Sequence, residues 1–392
     1  MPGNSELFPG ELVSFLKGKA FNLISNYSAR TSDFHWPAAY LLAQGCKPTF
    51  IFTPEHGWNL KYQEFEAVPL AEFKGIPLIP LFQKGRRIDD LIAEGNEVFL
   101  FDLNVTGTRC FTYVSLLYQV MRFCHKKQRS LLIYEKPNVL PSSLEGPLLE
   151  GNCSSYVSLI PTPFQYKMNI AELACFLYKK DKMDFPLIIF PIKKSFAAKL
   201  QKQPYFALSP NLAAKKSLCL YPATVFFEGT DFSEGRGTPF PFQVFGLPGF
   251  PAESFIRDLP RALKNICNFE IINFVPKRSK WQGKSCTGLR LRPEFDLSHT
   301  AFQLGIRLFC YLFKDFRDYF MILGLKNGIA FFDKLMGSTR VRELMEENTP
   351  PEEILNSFHK DHIDFSREVE DYVRPQFDRN KQKTFFTINK EK

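Results

Sequence analysis

The sequence predicts an α/β protein, with a mainly parallel sheet and its crossover helices in residues 1–245 and a smaller α+β part in residues 246–392. Three observations carry the prediction. Short apolar runs alternate with longer amphipathic stretches from Ala20 onward. Those runs are apolar throughout, as strands buried on both faces must be. Polar motifs follow them directly, where the ligand crevice of such a sheet opens. At 392 residues the chain also exceeds the size at which a single hydrophobic core stops growing, so two units are expected.

Taken in order, strands are expected at 20–25, 48–52, 98–102, 130–134 and 187–191, with helices at 111–125 and 170–179 between them. Residues 193–216, with paired lysines and Pro204 and Pro210, read as a long surface excursion. The apolar run 224–227 reads as one more strand. Gly246, Pro248, Gly249 and Pro251 fall within six residues and mark the expected domain boundary. Beyond it, helices are expected at 301–313 and 341–347, and the polar tail after Arg379 is expected to fray.

Composition excludes several classes. With 45% apolar and 23% charged residues the chain is neither disordered nor fibrous, and its 42 Phe are expected mainly as core filler. The net charge of +9 favours anionic partners, yet the basic residues fall in scattered pairs such as Arg86-Arg87 and Lys126-Lys127, with no nucleic-acid motif around them. These pairs read first as a solvated surface, with attraction toward an anionic glycan or cell-envelope polymer as the functional alternative, and no nucleic acid is expected. Nine Cys without a CxxC pair read as reduced, buried thiols, and no His/Cys cluster has metal-ligand spacing, so neither metal nor cofactor is expected. Met1–Phe8 lacks a cationic segment followed by an apolar stretch, and no later run is long enough to span a membrane. A cytoplasmic location is expected, although a chain that had lost a leader would read the same way.

Three segments can carry chemistry. Glu228-Gly-Thr-Asp-Phe-Ser-Glu234-Gly-Arg236-Gly-Thr238 combines acid/base groups with a planar guanidinium and glycines that let a ligand approach the backbone. The alternative is a tight loop whose carboxylates pair with Arg236. Pro54-Glu55-His56-Gly57 follows an expected strand and places a glutamate beside a histidine. In the third segment Asp102 ends a strand, and Asn104, Gly107 and Arg109 follow it; Asp102 serves equally well as a turn cap.

These segments resemble, in order, the motifs of the DUF1343 family of exo-β-N-acetylmuramidases, together with Glu135-Lys-Pro-Asn138, Glu145-Gly-Pro147, Ser209-Pro-Asn211 and Cys286-Thr-Gly288. The resemblance spans nearly the whole chain. It implies a Rossmann-like N-terminal domain and a smaller C-terminal one, and a glycoside hydrolase that releases N-acetylmuramic acid from non-reducing ends of peptidoglycan fragments. Such chemistry needs a protonated acid and a second carboxylate, and a muramyl carboxylate calls for a cation. Glu55, Glu234 and Glu228 are the implied catalytic candidates, with Glu55 and Glu234 the favoured pair. His56, Asp102, Asn104, Arg109, Glu145, Asn211, Ser233 and Arg236 are the implied substrate-binding residues.

The chain departs from the family pattern at several positions. Val105 stands for an Asp, Asn104 for a Gln, Tyr166-Lys167 for a His-Gly, and Glu135-Lys136 for an Asp-Arg, while Glu172 is retained. If one of the replaced groups orients a catalytic side chain, the chain is instead a non-catalytic muramyl-glycan binding or sensor protein on the same fold. A nucleotide-binding enzyme is disfavoured because no GxGxxG or Walker loop follows the early strands.

Overall fold

The computed structural model describes residues 10–29, 36–63, 66–81, 98–139, 143–192, 197, 205–293, 301–373 and 386–388. In chain order its strands are β1 (Asn22–Ser25), β2 (Phe50–Thr53), β3 (Ala71–Phe73), β4 (Ile76–Pro80), β5 (Val98–Asp102), β6 (Ser130–Tyr134), β7 (Leu144–Leu148), β8 (Pro163–Tyr166), β9 (Leu187–Phe190), β10 (Val244–Leu247), β11 (Asn268–Phe274), β12 (Cys286–Arg292) and β13 (Phe386–Ile388). Eight of them form one sheet in the order β13-β9-β6-β5-β1-β2-β4-β3. Pairing is parallel from β9 across to β4, and β13 and β3 close the two edges in antiparallel register.

The two-residue period of a strand explains how this sheet is buried on both sides. Ile24, Phe99, Phe101, Leu131 and Ile133 face one core, covered by the helices Thr112–Lys127 and Ile170–Lys180. Leu23, Leu100, Leu132 and Tyr134 face the other, covered by the helices Gly10–Leu16 and Pro37–Ala43. The helix Ile170–Lys180 starts at a capping box in which Asn169 accepts from the amides of Ala171 and Glu172, and Glu172 accepts from the amide of Asn169. That contact accounts for the retained Glu172.

The expected run at 224–227 is not a strand. It ends the helix Lys215–Thr224 and continues as a 3-10 turn over Val225–Gly229. A continuous apolar run does not by itself separate strand from helix, and here the surroundings decide. Phe226 and Phe227 are buried against rings from several directions, with Phe227 stacked on Phe245 at 4.5 Å and Phe226 lying 4.9 Å from Phe164. The C-terminal part carries the antiparallel sheet β10-β12-β11 and helices that include Ala301–Asp315 and His359–Tyr372. The helix Ala301–Asp315 crosses Lys215–Thr224 at Gly305, where any Cβ would come within 2.8 Å of the Ala223 carbonyl oxygen.

Most of the expected excursion, 193–204 apart from residue 197, lies outside the described residues, and Lys215 already begins a helix. Most of the tail expected to fray also lies outside them, but Phe386–Ile388 pairs with β9. All nine Cys are free thiols, eight of them buried.

Candidate active site

The two halves of the sheet wind away from β1, with β2 on one side and β5 on the other. A cavity with about 590 Å³ of atom-free space opens beyond the carboxyl ends of β2 and β5. Its lining includes Glu55, His56, Thr112, Tyr156, Asn211, Glu228 and Arg236. Its position is the switch point of an α/β sheet, where such folds bind small polar ligands.

Glu55 arrives on the turn after β2. His56 and Gly57 both have positive φ, +74° and +69°, and a side chain at Gly57 would press on Tyr62 and Val68 at 3.0 Å. Holding a histidine in this conformation costs free energy that the surrounding contacts must offset. One such contact is visible: His56 Nδ1 lies 2.8 Å from the Tyr62 carbonyl oxygen. That oxygen only accepts, so Nδ1 carries the proton and Nε2 keeps its lone pair. Burial, reinforced by the nearby Arg236, lowers the imidazole to about 4, so His56 is neutral at pH 7. Glu55 Oε2 accepts from the Thr112 hydroxyl at 2.9 Å, and Thr112 is in turn bonded to Tyr156, whose phenol burial pushes well above its ordinary value. The Tyr113 hydroxyl accepts from Asn26 Nδ2 at 2.7 Å and approaches the carbonyls of Glu55 and Leu208, tying the turns after β1 and β2 to the loop that carries Ser209 and Asn211.

The opposite wall is the loop after the 3-10 turn. Arg236 Nη2 pairs with Glu228 Oε1 at 2.7 Å and Arg236 Nε with Glu234 Oε1 at 2.8 Å, over the ring of Phe242. Glu234 Oε2 lies 2.8 Å from Lys280 Nζ, a charge contact without directed hydrogen-bond geometry. Burial alone would raise the Glu234 carboxyl, but Lys280 and Arg236 together hold it below its ordinary value.

The candidates therefore separate. Glu55, His56, Asn211, Glu228 and Arg236 meet at the cavity. Glu234 does not line it; it stands behind Arg236 with its side chain 2% exposed. Ser233 is buried, its backbone bonded to Gly246. Asp102 is buried against Lys136, and burial raises its carboxyl despite that partner. Asn104 donates to the Ser28 carbonyl, and Glu145 accepts from Gln303 at 3.0 Å. Arg109 is enclosed in the interior, where it donates to Ser158 Oγ and to the carbonyls of Pro147, Thr162 and Met336. The structure adds Thr112, Tyr156, Tyr221 and Lys280 to the site and its support. Tyr156 and Lys280 carry no motif, so no signal short of the fold could have found them.

The departures from the family pattern stay clear of the cavity. Val105 and Tyr166 are core residues, Lys167 is exposed, and Glu135 and Lys136 belong to the buried polar layer around Asp102.

Two glutamates face one cavity, one ion-paired and the other hydrogen-bonded to a hydroxyl, and paired carboxylates are the equipment that glycoside hydrolases use for acid/base work. Comparison narrows this. The N-terminal model of exo-β-N-acetylmuramidase NamZ matches residues 21–216 and the C-terminal model matches 219–374, so the chain belongs to the NamZ family. It is 29% identical over 366 residues to the peptidoglycan β-N-acetylmuramidase NamZ of Bacillus subtilis (strain 168), covering 91% of this chain and 87% of that protein. Two crystal structures of DUF1343 family proteins from Bacteroides fragilis NCTC 9343 share the fold. One has a TM-score of 0.76 and 20% identity, covering 93% of this chain and 96% of the other; the second has 0.68 and 24%, covering 92% and 95%.

Proposed function

We propose that this chain is an exo-β-N-acetylmuramidase that releases N-acetylmuramic acid from the non-reducing ends of peptidoglycan fragments. The observation that carries the reading is the meeting of Glu55 and Glu228, from two separate family motifs, at one cavity beyond the strand ends. Glu228, paired with Arg236, suits the charged role, as nucleophile or as base toward water. Glu55, set among Thr112 and Tyr156, suits the proton donor. Arg236 is the one cation among the cavity's described lining residues, because His56 is neutral, and it is the group that a muramyl carboxylate would meet. Glu234 backs Arg236 directly, while Arg109, Asp102, Asn104, Glu145 and Ser233 are engaged in the fold away from the cavity.

On this reading residues 1–245 form the catalytic unit, since they supply all three glutamates, and 246–392 form an auxiliary unit. Nine free thiols support a reducing compartment, the cytoplasm, as the place of action. Among the described residues no helix is long and apolar enough to cross a membrane. The test is turnover of a chromogenic N-acetylmuramic acid glycoside beside its N-acetylglucosamine analogue. Release from the muramyl compound alone is expected, and binding without release from either would favour the non-catalytic sensor instead.

A further inference from the structure

Lys280 is absent from every motif of the chain, yet its ammonium is fully engaged. Nζ donates to the carbonyls of Phe227 at 2.6 Å and Thr230 at 2.8 Å, and meets Glu234 Oε2 at 2.8 Å. The two carbonyls bracket Glu228, so one lysine grips the backbone on both sides of a cavity glutamate and also the carboxylate that anchors Arg236. Its neighbour Trp281 ties the same two loops through Nε1 to the Asp231 carbonyl at 2.6 Å.

We propose that Lys280 is a positioning residue for the reaction: it anchors Glu234, Glu234 anchors Arg236, and Arg236 holds Glu228 at the cavity wall. This rests on the reading of Glu228 as a working carboxylate. The geometry is a linear chain of four alternating charges, Lys280, Glu234, Arg236 and Glu228, with contacts of 2.8, 2.8 and 2.7 Å. Among the described residues, His56 bears on Arg236, Cys110 and Tyr221 on Glu228, and the backbone of Lys277 and Arg278 packs against Gly237 of the same loop. His56, Cys110 and Tyr221 are not cationic at neutral pH, and the cations that act on Glu234 are Lys280 and Arg236. With Lys280 removed, Glu234 faces its desolvation with Arg236 alone, takes up a proton closer to neutrality, and releases the Nε of Arg236 as it does so.

The test compares Lys280→Met, Glu234→Gln and Trp281→Phe with the wild type on the chromogenic muramyl glycoside, as kcat and KM from pH 4 to 9, with Tm measured in parallel. Lys280→Met is expected to lower kcat at pH 7 by at least about tenfold, to change KM by less than about threefold, and to move the acidic limb of the profile up by about one pH unit. Glu234→Gln, nearly isosteric, keeps the inference testable if Lys280→Met does not fold. It should lose kcat similarly and show no contribution of its own on the acidic limb. Trp281→Phe should lower Tm and leave the profile in place. The proposal is overturned if the folded charge variant keeps the wild-type profile, or if its loss of activity only tracks Tm as it does in Trp281→Phe. A wild type that turns over neither glycoside would overturn the functional reading and this inference together.

Discussion

Arg109 and Arg236 occupy loops of similar make-up. Each stands close to glycines in the left-handed region, Gly107 at φ +79° for one, Gly235 at +81° and Gly237 at +73° for the other. As a sequence both are candidates to greet an anion, Arg236 ahead of Arg109. In the structure Arg236 meets two carboxylates at a cavity wall, whereas Arg109 lies wholly inside and meets a hydroxyl and three carbonyls. Burial lowers the Arg109 guanidinium to about 10, which still leaves it charged at neutral pH. The difference lies in the acceptors. Carbonyls from Pro147, Thr162 and Met336 make Arg109 a clamp between distant parts of the chain, and carboxylates tie Arg236 to Glu228 at the cavity and Glu234 behind it.

The largest expected effect tests the clamp. Arg109→Met leaves a buried hydroxyl and three carbonyls without their donor and should destabilise the fold by about 4 kcal/mol or more in denaturant titration. Gly337→Ala should act in the same direction, because a Cβ there would sit 1.9 Å from Arg109 Nη2 and the residue has φ +83°. A mild loss in both would mean that the interior cation is dispensable. Next come the two cavity glutamates, of which Arg236 pairs with Glu228: Glu55→Gln and Glu228→Gln should each reduce turnover at least about a hundredfold, near 2.7 kcal/mol of barrier, with little change in Tm for Glu55→Gln. Near-native rates in either variant would remove that residue from the mechanism.

Arg236→Lys sharpens the comparison further. A lysine cannot hold two glutamates through separate nitrogens, and it should weaken binding of N-acetylmuramic acid by about 1.5–3 kcal/mol. If N-acetylglucosamine ligands lose as much, Arg236 resembles Arg109 after all in being only structural. The smallest effect belongs to His56. Its folded value, about 4, lies below the unfolded value near 6.5, so its contribution to stability is present above pH 6.5 and fades as pH falls toward 4. Between pH 7.5 and 5.5 the loss should be about 1 kcal/mol, and His56→Asn, which tolerates positive φ, should flatten that part of the stability profile.

The contrast also marks what is legible in a sequence. β5 and β6 lie where their apolar runs predict, residue for residue, because strands buried on both faces leave an unbroken signal. The run at 224–227 misleads because its phenylalanines are buried by aromatic neighbours on all sides, and that environment exists only in the folded molecule. At the site, motifs single out Glu55, Glu228, Glu234 and Arg236 but do not rank them. Ranking Glu228 ahead of Glu234 requires knowing that Lys280, far along the chain, comes to rest on Glu234. Asp102 and Glu145 look as reactive as Glu55 until burial and partners are seen.

The antiparallel pairing of β13 with β9 has a consequence for synthesis on the ribosome. Phe386 lies opposite Ile189, so one border of the main sheet is completed only after residues 386–388 have been made, nearly two hundred positions beyond β9. Until then the nascent first half carries β9 with one row of backbone amides and carbonyls unmatched. The acceptor that Met336 offers to Arg109 is likewise missing until late. Residues 21–216 and 219–374 match separate family models, yet Arg109 bonds Met336 across them and residues 386–388, beyond both, pair with β9, so the first half to emerge waits for later residues before it can be sealed.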